Sequence, residues 1–321
     1  MTYLGVDGGG SGTALCLISR DGEVLARLDA PSSYYLGSVE GTDLVARVLG
    51  AAVPAVCSLA GTTPPAVEFT FLGLPAFGEV SADVARLEAL PATVLGSDRY
   101  RCDNDMVCGW AGSLGGHDGI NVISGTGSMT YGERAGVGVR VGGWGELFGD
   151  EGSGYWLGIR ALQAFTRMSD GRASAGPLLD VLRDHLGLGV DLDVVDVVLN
   201  RWSGARREIA SLSRPLVAAA RRGDETAAAL LAEAGSELAH LVHATRRRLG
   251  FEAGEVVPLS YSGGVFSVPE VLTGFENRLD AGYDLRRPRF TPVVGAAVHA
   301  ARLAGAPLSD AALERLQVAQ T

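Results

Sequence analysis

Alternating apolar and small or polar residues predict three strands at the start of the chain. Leu4 and Val6 alternate with Gly5 and Asp7, and "TALCLI" and "EVLARL" follow after a glycine-rich segment. Residues 41–57 carry apolar side chains at helical spacing, and "AVEFTFLGL" predicts a strand. "SADVARLEAL" predicts a helix with Ser81 as its N-cap, and "ATVLG" predicts a further strand. This order of elements indicates one compact domain.

The second half of the chain repeats the opening pattern. After the glycine-rich segment 112–119, a strand "INVIS", a turn "GTGS" and a strand "MTYGE" follow. Residues 155–250 are mainly helical, "VVPLSYSGGVFSVPEVL" predicts a strand, a glycine turn and a helix, and "TPVVGAAVHAARLAG" predicts a closely packed last helix. We expect one domain at 1–115, on which the helical segment 300–321 packs, and a second at 116–299 with a helical insertion at about 155–250.

The first glycine turn, "DGGGSGT", joins a strand to a strand. A dinucleotide-binding turn joins a strand to a helix and has glycines at its first, third and sixth positions, whereas the sixth position from Gly8 is Thr13. The sequence therefore does not predict a dinucleotide fold.

Composition excludes several other classes. Each of the 27 basic residues is Arg. Without Lys, a P-loop, a protein kinase and a pyridoxal enzyme are all excluded. The net charge of −10 and the lack of a basic face argue against nucleic acid as a partner. The four cysteines lack CxxC spacing, which argues against zinc and iron–sulfur sites. The chain has neither a membrane-spanning apolar run nor a signal pattern in residues 1–15, so we expect a cytoplasmic protein.

Two glycine hairpins could hold a triphosphate between them through backbone N–H groups, hydroxyls and a metal ion. The chain here resembles the superfamily of actin, hexokinase and the heat-shock ATPases, and within it the N-acetylglucosamine kinase branch, which is grouped with the activators of benzoyl-CoA-type reductases. The resemblance rests on "VDGGGSGT" (6–13), "DNDMVCGW" (103–110), "NVISGTGS" (121–128), "GGWGELFGDEGSGYW" (142–156), "YSGGVF" (261–266) and "VVGAAVHAA" (293–301). It implies an α/β fold of two ribonuclease H-like domains, each a mixed β-sheet flanked by helices, with an interdomain cleft.

The resemblance implies ATP and Mg²⁺ as cofactors and assigns the residues that would bind them. Asp7 would hold the metal through water. The phosphates would contact Gly8, Gly9, Gly10, Ser11 and Thr13 in the first turn and Gly125, Thr126, Gly127 and Ser128 in the second, while Gly263, Gly264 and Val265 would approach the adenosine. The alternative is that these segments are ordinary turns without a ligand.

The catalytic base implied by the resemblance is Asp105, with Asp103 as the competing candidate and a helix N-cap as the structural alternative. Gly143, Trp144 and Asp150 would line a sugar pocket, because an indole and a carboxylate suit the apolar face and the hydroxyls of a pyranose. Trp144 could instead be a core residue, and Asp150 a helix N-terminal acid. Where relatives commonly carry an Asn that reaches the sugar, this chain has "PSSYYLG", which leaves Ser33 or Tyr34.

These assignments predict an ATP-dependent hexosamine kinase that phosphorylates the 6-hydroxyl of N-acetylglucosamine. Glucosamine and N-acetylmuramic acid are alternative acceptors. Two different classes stay open, an ATPase that activates a radical reductase and a sugar-sensing regulator. The expected partners are a small sugar and ATP, without nucleic acid or membrane, and a homodimer is a further expectation.

Overall fold

The computed structural model describes residues 1–319. The chain forms two compact units, one made of Met1–Gly119 and the chain from Arg287 onward, the other of Ile120–Arg286. The C-terminal return to the first unit thus starts earlier than the predicted position at 300. Residues 320 and 321, which the prediction included in that return, lie outside the described chain.

The strands and helices follow one another in a repeated pattern. The strands are β1 (Thr2–Gly8), β2 (Thr13–Ser19), β3 (Val24–Ala30), β4 (Phe69–Leu74), β5 (Tyr100–Asn104), β6 (Gly119–Ser124), β7 (Ser128–Arg134), β8 (Val137–Gly142), β9 (Val257–Ser262) and β10 (Tyr283–Arg286). The α-helices are α1 (Asp43–Leu59), α2 (Val84–Leu95), α3 (Met106–Leu114), α4 (Gly154–Ser169), α5 (Pro177–Leu186), α6 (Arg206–Ser211), α7 (Ser213–Arg221), α8 (Glu225–Arg248), α9 (Pro269–Glu276), α10 (Pro292–Leu303) and α11 (Asp310–Val318).

Each unit contains a five-stranded sheet, and the two sheets share one strand order. The first sheet runs β3-β2-β1-β4-β5, and the second, read from its opposite edge, runs β8-β7-β6-β9-β10. In the first sheet β1 is antiparallel to β2 and parallel to β4, and β4 is parallel to β5. In the second, β6 and β9 are parallel and β7 and β8 are antiparallel. The repeat that the glycine turns suggest in sequence is therefore present in the topology.

The two faces of strand β1 bury different surfaces. Leu4 and Val6 are fully buried in a core that includes residues of α1. On the other face, a Cβ atom on Gly5 would lie 2.3 Å from the backbone nitrogen of Ala297, so α10 contacts the strand backbone directly. Gly295 brings α10 equally close to α3, because a Cβ atom there would lie 2.0 Å from the nitrogen of Gly112. The predicted close packing of the last small-residue helix is confirmed.

Two local predictions in the first unit are wrong. The predicted strand "ATVLG" is the end of helix α2, which continues through Pro91 and ends at Gly96, whose φ is +61°. The helix forms because Leu87, Pro91 and Leu95, spaced four residues apart, are buried together, and this outweighs the strand preference of Thr93 and Val94. Ser81 lies in a short 3₁₀ turn before the helix, and the helix start has no side-chain cap.

No helix within residues 1–319 combines the length and the apolar character that crossing a bilayer would require.

Candidate functional site

Acidic residues lie close together at the carboxyl ends of the parallel strands in the first sheet. Strands β1, β4 and β5 are parallel, and their register places Asp7 beside Gly73 and Gly73 beside Asp103 at the carboxyl ends. Asp105 follows β5 directly, at the start of α3. The absence of a side chain at Gly73 permits this arrangement, since a Cβ atom there would lie 3.1 Å from the Asp105 Cα and 2.2 Å from the Cys108 Sγ. The fold therefore brings Asp7 and Asp105 together across a glycine.

The electrostatics of Asp7 reflect this neighbourhood. Burial and, second, the negative charge of Asp105 raise the pKa of Asp7 from 3.8 to about 7, while a hydrogen bond with the Cys108 thiol opposes the shift. Cys108 is itself fully buried, with its Sγ 3.5 Å from the carbonyl oxygen of Val6. Two adjacent carboxyl groups in a partly desolvated setting can bind a cation or exchange a proton.

Asp103 and Asp105 lie on either side of Asn104, where β5 ends and α3 begins. The Asp103 Oδ1 accepts a hydrogen bond of 2.8 Å from the backbone N–H of Asn104. Burial raises the pKa of Asp103, and that hydrogen bond opposes the shift. The start of α3 is satisfied by Asn104, whose Oδ1 accepts a hydrogen bond from the Met106 N–H, whereas Asp105 makes no capping hydrogen bond. The N-cap alternative for Asp105 therefore does not describe its side chain.

The first glycine turn, between β1 and β2, is closed by a hydrogen bond from the Gly9 N–H to the Gly12 carbonyl. Gly10 and Ser11 are exposed at its tip. Thr13 is buried, and its hydroxyl donates to the Ser33 Oγ at 3.0 Å. Gly10 and Ser11 are thus the parts of this turn that a phosphate could reach, whereas Gly8 is buried beside Ser33 and the Gly9 N–H is engaged within the turn.

Segment 31–37 holds the first turn in place through hydrogen bonds and packing. Ser32 donates its hydroxyl to the carbonyl of Gly9 at 2.7 Å, and Ser33 is fully buried against Gly8 and Thr13. Tyr34 is exposed. The structure thus gives Ser33 a role in holding the turn, and Tyr34 is the residue of the predicted pair that a ligand could contact.

The second glycine turn, between β6 and β7, is tied to the start of α4. The N–H of Gly154 donates to the carbonyl of Gly125 at 2.8 Å, and that of Tyr155 donates to Thr126 at 3.2 Å. The Ser128 hydroxyl donates to the carbonyl of Glu151 at 2.6 Å, so this predicted phosphate contact is engaged inside the protein. The turn is held rigidly while Gly125 and Thr126 border open space.

That space is a cavity of about 820 Å³ within the second unit. Its volume lies within the range of small-molecule sites. It is lined by Gly125 and Thr126 of the second turn, by Gly154, by residues of α6 and α7, and by Gly264, Val265, Ser267 and Val268. Gly263 adopts φ +97°, and a Cβ atom there would lie 2.2 Å from the carbonyl oxygen of Ser124. Only glycine fits at this turn, which brings the predicted adenosine segment beside the predicted phosphate turn.

Arginines that the sequence interpretation missed form part of the cavity wall. Arg207 on α6 and Arg214 on α7 line the cavity and are exposed, whereas Arg221 pairs with Glu270 at 3.0 Å. A guanidinium can bind phosphate oxygens or stack on a base. The arginines of "GARREIASLSRP" carry the sequence signal, but a helical pattern alone does not show which surface they line.

The loop between β8 and α4 exposes apolar side chains. Trp144 is 72% exposed, and Leu147 and Phe148 are also exposed, so Trp144 is not a core residue. Gly143 has φ +69°, and its carbonyl accepts a hydrogen bond from the Arg140 guanidinium. The loop therefore presents an indole at the surface of the second unit.

Asp150 at the end of this loop is only 2% exposed and forms an ion pair with Arg206. Its φ is +57°, which is uncommon for a residue other than glycine. Burial raises the pKa of Asp150, and the Arg206 charge opposes the shift. The N-cap of α4 is Ser153, which accepts a hydrogen bond from the Trp156 N–H. Ser153 rather than Asp150 thus caps α4, and the Asp150 carboxylate is engaged by Arg206, a partner that no local sequence pattern indicates.

The Asp7 carboxylate suits Mg²⁺ that is bound mainly by water and substrate phosphates. Within residues 1–319, no group of three or more His, Cys, Asp or Glu side chains could hold a metal. Mg²⁺, however, commonly keeps several waters and binds through one or two carboxylates together with substrate phosphates. Asp7, whose carboxyl carries unfavourable burial and a like-charged neighbour, fits that mode of binding.

Comparisons with known proteins agree with this architecture. An N-acetyl-D-glucosamine kinase from Dictyostelium discoideum is 30% identical over 82% of this chain and 84% of its own length. An N-acetylmuramic acid/N-acetylglucosamine kinase from Clostridium acetobutylicum is 32% identical over 82% and 85%. A crystal structure from Chromobacterium violaceum, for which N-acetylglucosamine kinase activity has been proposed, is 28% identical and covers 94% of this chain and 98% of its own, with a TM-score of 0.67.

The family match covers nearly all of the segments described above, from the first strand to helix α10. Residues 4–300 match the BadF/BadG/BcrA/BcrD ATPase family. The two sheets of equal strand order and the paired glycine turns are the architecture expected of actin-like ATPases. The chain therefore belongs to the BadF/BadG/BcrA/BcrD ATPase family.

Proposed function

We propose that this protein is an ATP-dependent kinase that transfers the γ-phosphate to the 6-hydroxyl of an amino sugar, with N-acetylglucosamine as the favoured acceptor. The observation that carries the proposal is the cavity of about 820 Å³ in which the second glycine turn and the 264–268 segment lie side by side. The names of the curated relatives support an amino sugar as the acceptor.

Asp105 is the proposed catalytic base. Phosphoryl transfer to an alcohol requires alignment, charge neutralisation and a carboxylate that takes the hydroxyl proton as the new bond forms. Asp105 is supported by its position, because it follows β5 directly and lies next to Asp7 across Gly73, whereas the Asp103 Oδ1 is engaged by the Asn104 N–H.

Asp7 is the proposed anchor for Mg²⁺, through water. When bound, the ion would neutralise phosphate charge and lower the cost of holding two carboxylates together. The exposed tip of the first turn and Thr126 of the second would donate backbone N–H groups to phosphate oxygens, and Gly125, whose N–H donates to the Gly127 carbonyl, would border the phosphates. Gly263, Gly264 and Val265 would approach the adenosine. We call the cavity of about 820 Å³ the nucleotide cavity, because the adenosine and phosphates are proposed to bind there. In a chain without Lys, Arg207 and Arg214 are its available cations.

Gly143 and Trp144 are the proposed sugar contacts in the second unit, and Tyr34 is the proposed contact in the first. An exposed indole offers a flat apolar surface to a pyranose ring. Asp150 and Ser33 are proposed to hold the loop and the turn that carry these contacts, since both are buried and bonded to neighbouring residues. Glucosamine and N-acetylmuramic acid are the alternative acceptors; the relatives' names include both.

An activating ATPase that bridges subunits with an iron–sulfur cluster is less well supported. Cys16, Cys57, Cys102 and Cys108, the cysteines of the described chain, are all buried, whereas a bridging cluster needs thiolates at a surface. A sugar-sensing regulator without catalysis would not require the Asp7–Asp105 pair. We further propose that the reaction takes place in the cytoplasm, where ATP is available, and that the protein acts as a homodimer.

The acceptor is tested by incubating the protein with MgATP and a panel of sugars and identifying products by ³¹P nuclear magnetic resonance. The panel contains N-acetylglucosamine, glucosamine, N-acetylmuramic acid, glucose and 6-deoxy-N-acetylglucosamine. We expect a sugar 6-phosphate from N-acetylglucosamine and no product from the 6-deoxy compound. Phosphorylation of the 6-deoxy compound would contradict the proposed position of transfer, and glucose as the preferred acceptor would contradict the amino sugar assignment.

A further inference from the structure

Arg206, the first residue of α6, joins two parts of the second unit. Its guanidinium pairs with the buried Asp150, and its Nε lies 3.4 Å from the Glu146 carboxylate. Both acids belong to the loop that exposes Trp144, whereas the next residue along α6, Arg207, lines the nucleotide cavity. One side chain thus connects the loop to the cavity wall.

The second glycine turn meets the same ion pair. A Cβ atom on Gly127 would lie 2.3 Å from the Arg206 guanidinium and 2.7 Å from the Asp150 Oδ2. The turn, the loop and α6 therefore pack against one another at a single point, without space for an additional methyl group. A shift of one of the three would therefore change its contacts with the other two, because closely packed atoms leave little free space.

Arginine suits the chemistry of this contact. Ion pairs on a protein surface contribute little, but removing one partner of a buried pair leaves an uncompensated charge. A planar guanidinium can form ion pairs with two carboxylates at once, whereas an ammonium group is a single point charge. The Asp150 side chain is buried, whereas the side chains of Arg206 and Glu146 are 40% and 35% exposed, so the uncompensated charge would be that of Asp150. Arg206 therefore holds the loop chiefly through Asp150, and its Nε adds a longer ion pair with Glu146 without a hydrogen bond.

We propose that Arg206 is a positioning residue that couples the nucleotide cavity to the Trp144 loop, so that a nucleotide in the cavity increases the affinity of the loop for the sugar. The inference rests on the proposed function, because it takes the ligands to be a nucleotide and an amino sugar. Phosphates held by the second turn would order Gly127 against the ion pair, and the ion pair would hold the loop with Trp144 ready for the sugar ring. Arg206 touches neither reactant in this mechanism.

The test is calorimetric titration of N-acetylglucosamine into the full-length protein, with and without saturating ADP. Couplings between two sites typically change affinity roughly 5- to 150-fold, and we expect the wild type to lie in that range. Arg206→Gln should reduce the ratio of the two affinities to about one while ADP still binds. Arg207→Gln is the matched control: it should weaken ADP binding but keep the ratio at saturating ADP. Arg206→Lys should give an intermediate ratio, because it retains only one of the two pairings.

A second variant provides the same test if the Arg206→Gln protein does not fold. Combining Arg206→Gln with Asp150→Asn removes both charges together and so leaves no unpaired buried ion. This double variant should also reduce the ratio of the two sugar affinities to about one. A wild-type ratio in a folded Arg206→Gln protein or in the double variant would overturn the coupling, as would equal sugar affinities with and without ADP in the wild type. Absence of sugar binding to the wild type under both conditions would instead refute the proposed function.

Discussion

At the scale of single residues, the first unit concentrates negative charge where the reaction is proposed to begin. Asp7 and Asp105 are brought together across Gly73, with the Cys108 thiol buried beneath them. Such a pair is costly in the free protein, because burial and like charge both disfavour ionisation. Strained or unfavourable arrangements of this kind are retained where a ligand relieves them, which is the role proposed here for Mg²⁺.

Asp105→Asn should remove most phosphoryl transfer and leave binding nearly unchanged. The amide preserves the shape of the side chain but cannot accept the hydroxyl proton, and losses of a general base are roughly 10²–10⁴-fold in rate. Initial rates together with calorimetric titration of ADP and sugar would measure both effects. Asp103→Asn is the matched control and should retain most of the activity; the reverse pattern would move the base to Asp103.

Asp7 should make the nucleotide-free protein less stable as pH rises. Its pKa is raised from 3.8 to about 7, so the folded state holds the proton more tightly than the unfolded state does. The associated stability is fully present below about pH 4 and is lost as pH rises through about 7. Asp7→Asn should therefore raise Tm relative to the wild type more at pH 8 than at pH 5, measured with a chelator present. An equal difference at both pH values would show that Asp7 titrates normally.

At the scale of elements, α6 and α7 form one wall of the nucleotide cavity and supply its arginines. Arg214→Gln should raise the KM for ATP and leave kcat little changed, because a cavity-wall cation would bind ground state and transition state alike. Arg222→Gln, an exposed arginine outside that cavity, should leave both constants unchanged. A fall in kcat at constant KM in Arg214→Gln would place this arginine at the transferred phosphate instead.

Helix α10 depends on glycine to reach its neighbours. Gly295→Ala would place a methyl group against the backbone of α3, and overpacking of this kind costs roughly 1–3 kcal/mol. Gly50→Ala is the matched control, since Gly50 is exposed on α1 with no atom near its Cβ position, and it should stabilise the protein by about 0.4–1 kcal/mol. Chemical denaturation measures both changes. A neutral Gly295→Ala would contradict the close contact of α10 with α3.

The elements that could be predicted from sequence are those with a local cause. The glycine turns and the strands around them were predicted because "DGGGSGT" and "SGTGS" lie between apolar runs, and the small residues of α10 indicated a close contact. The end of helix α2 differs from the strand that the sequence predicts, because the burial of Leu95 depends on the surrounding core and outweighs the local strand preference. The Asp150–Arg206 pair joins residues 56 positions apart, and no local pattern specifies such a partner.

At the scale of the whole molecule, the proposed reaction needs residues of both units. The first unit supplies the carboxylates of Asp7 and Asp105, and the second supplies the nucleotide cavity and the Trp144 loop. The equal strand order of the two sheets explains why each unit offers a glycine turn at the end of its central strand. Because the sugar hydroxyl is the proposed nucleophile, the acceptor should determine whether ATP is consumed.

The most direct test of this account is the initial rate of ADP release from MgATP, measured with and without saturating N-acetylglucosamine. A kinase that uses the sugar hydroxyl as its nucleophile should release ADP rapidly with the sugar, in equal amounts with sugar phosphate, and only slowly without it. ADP release that is equally fast in the absence of sugar would contradict the kinase assignment and favour an ATPase whose hydrolysis serves another purpose.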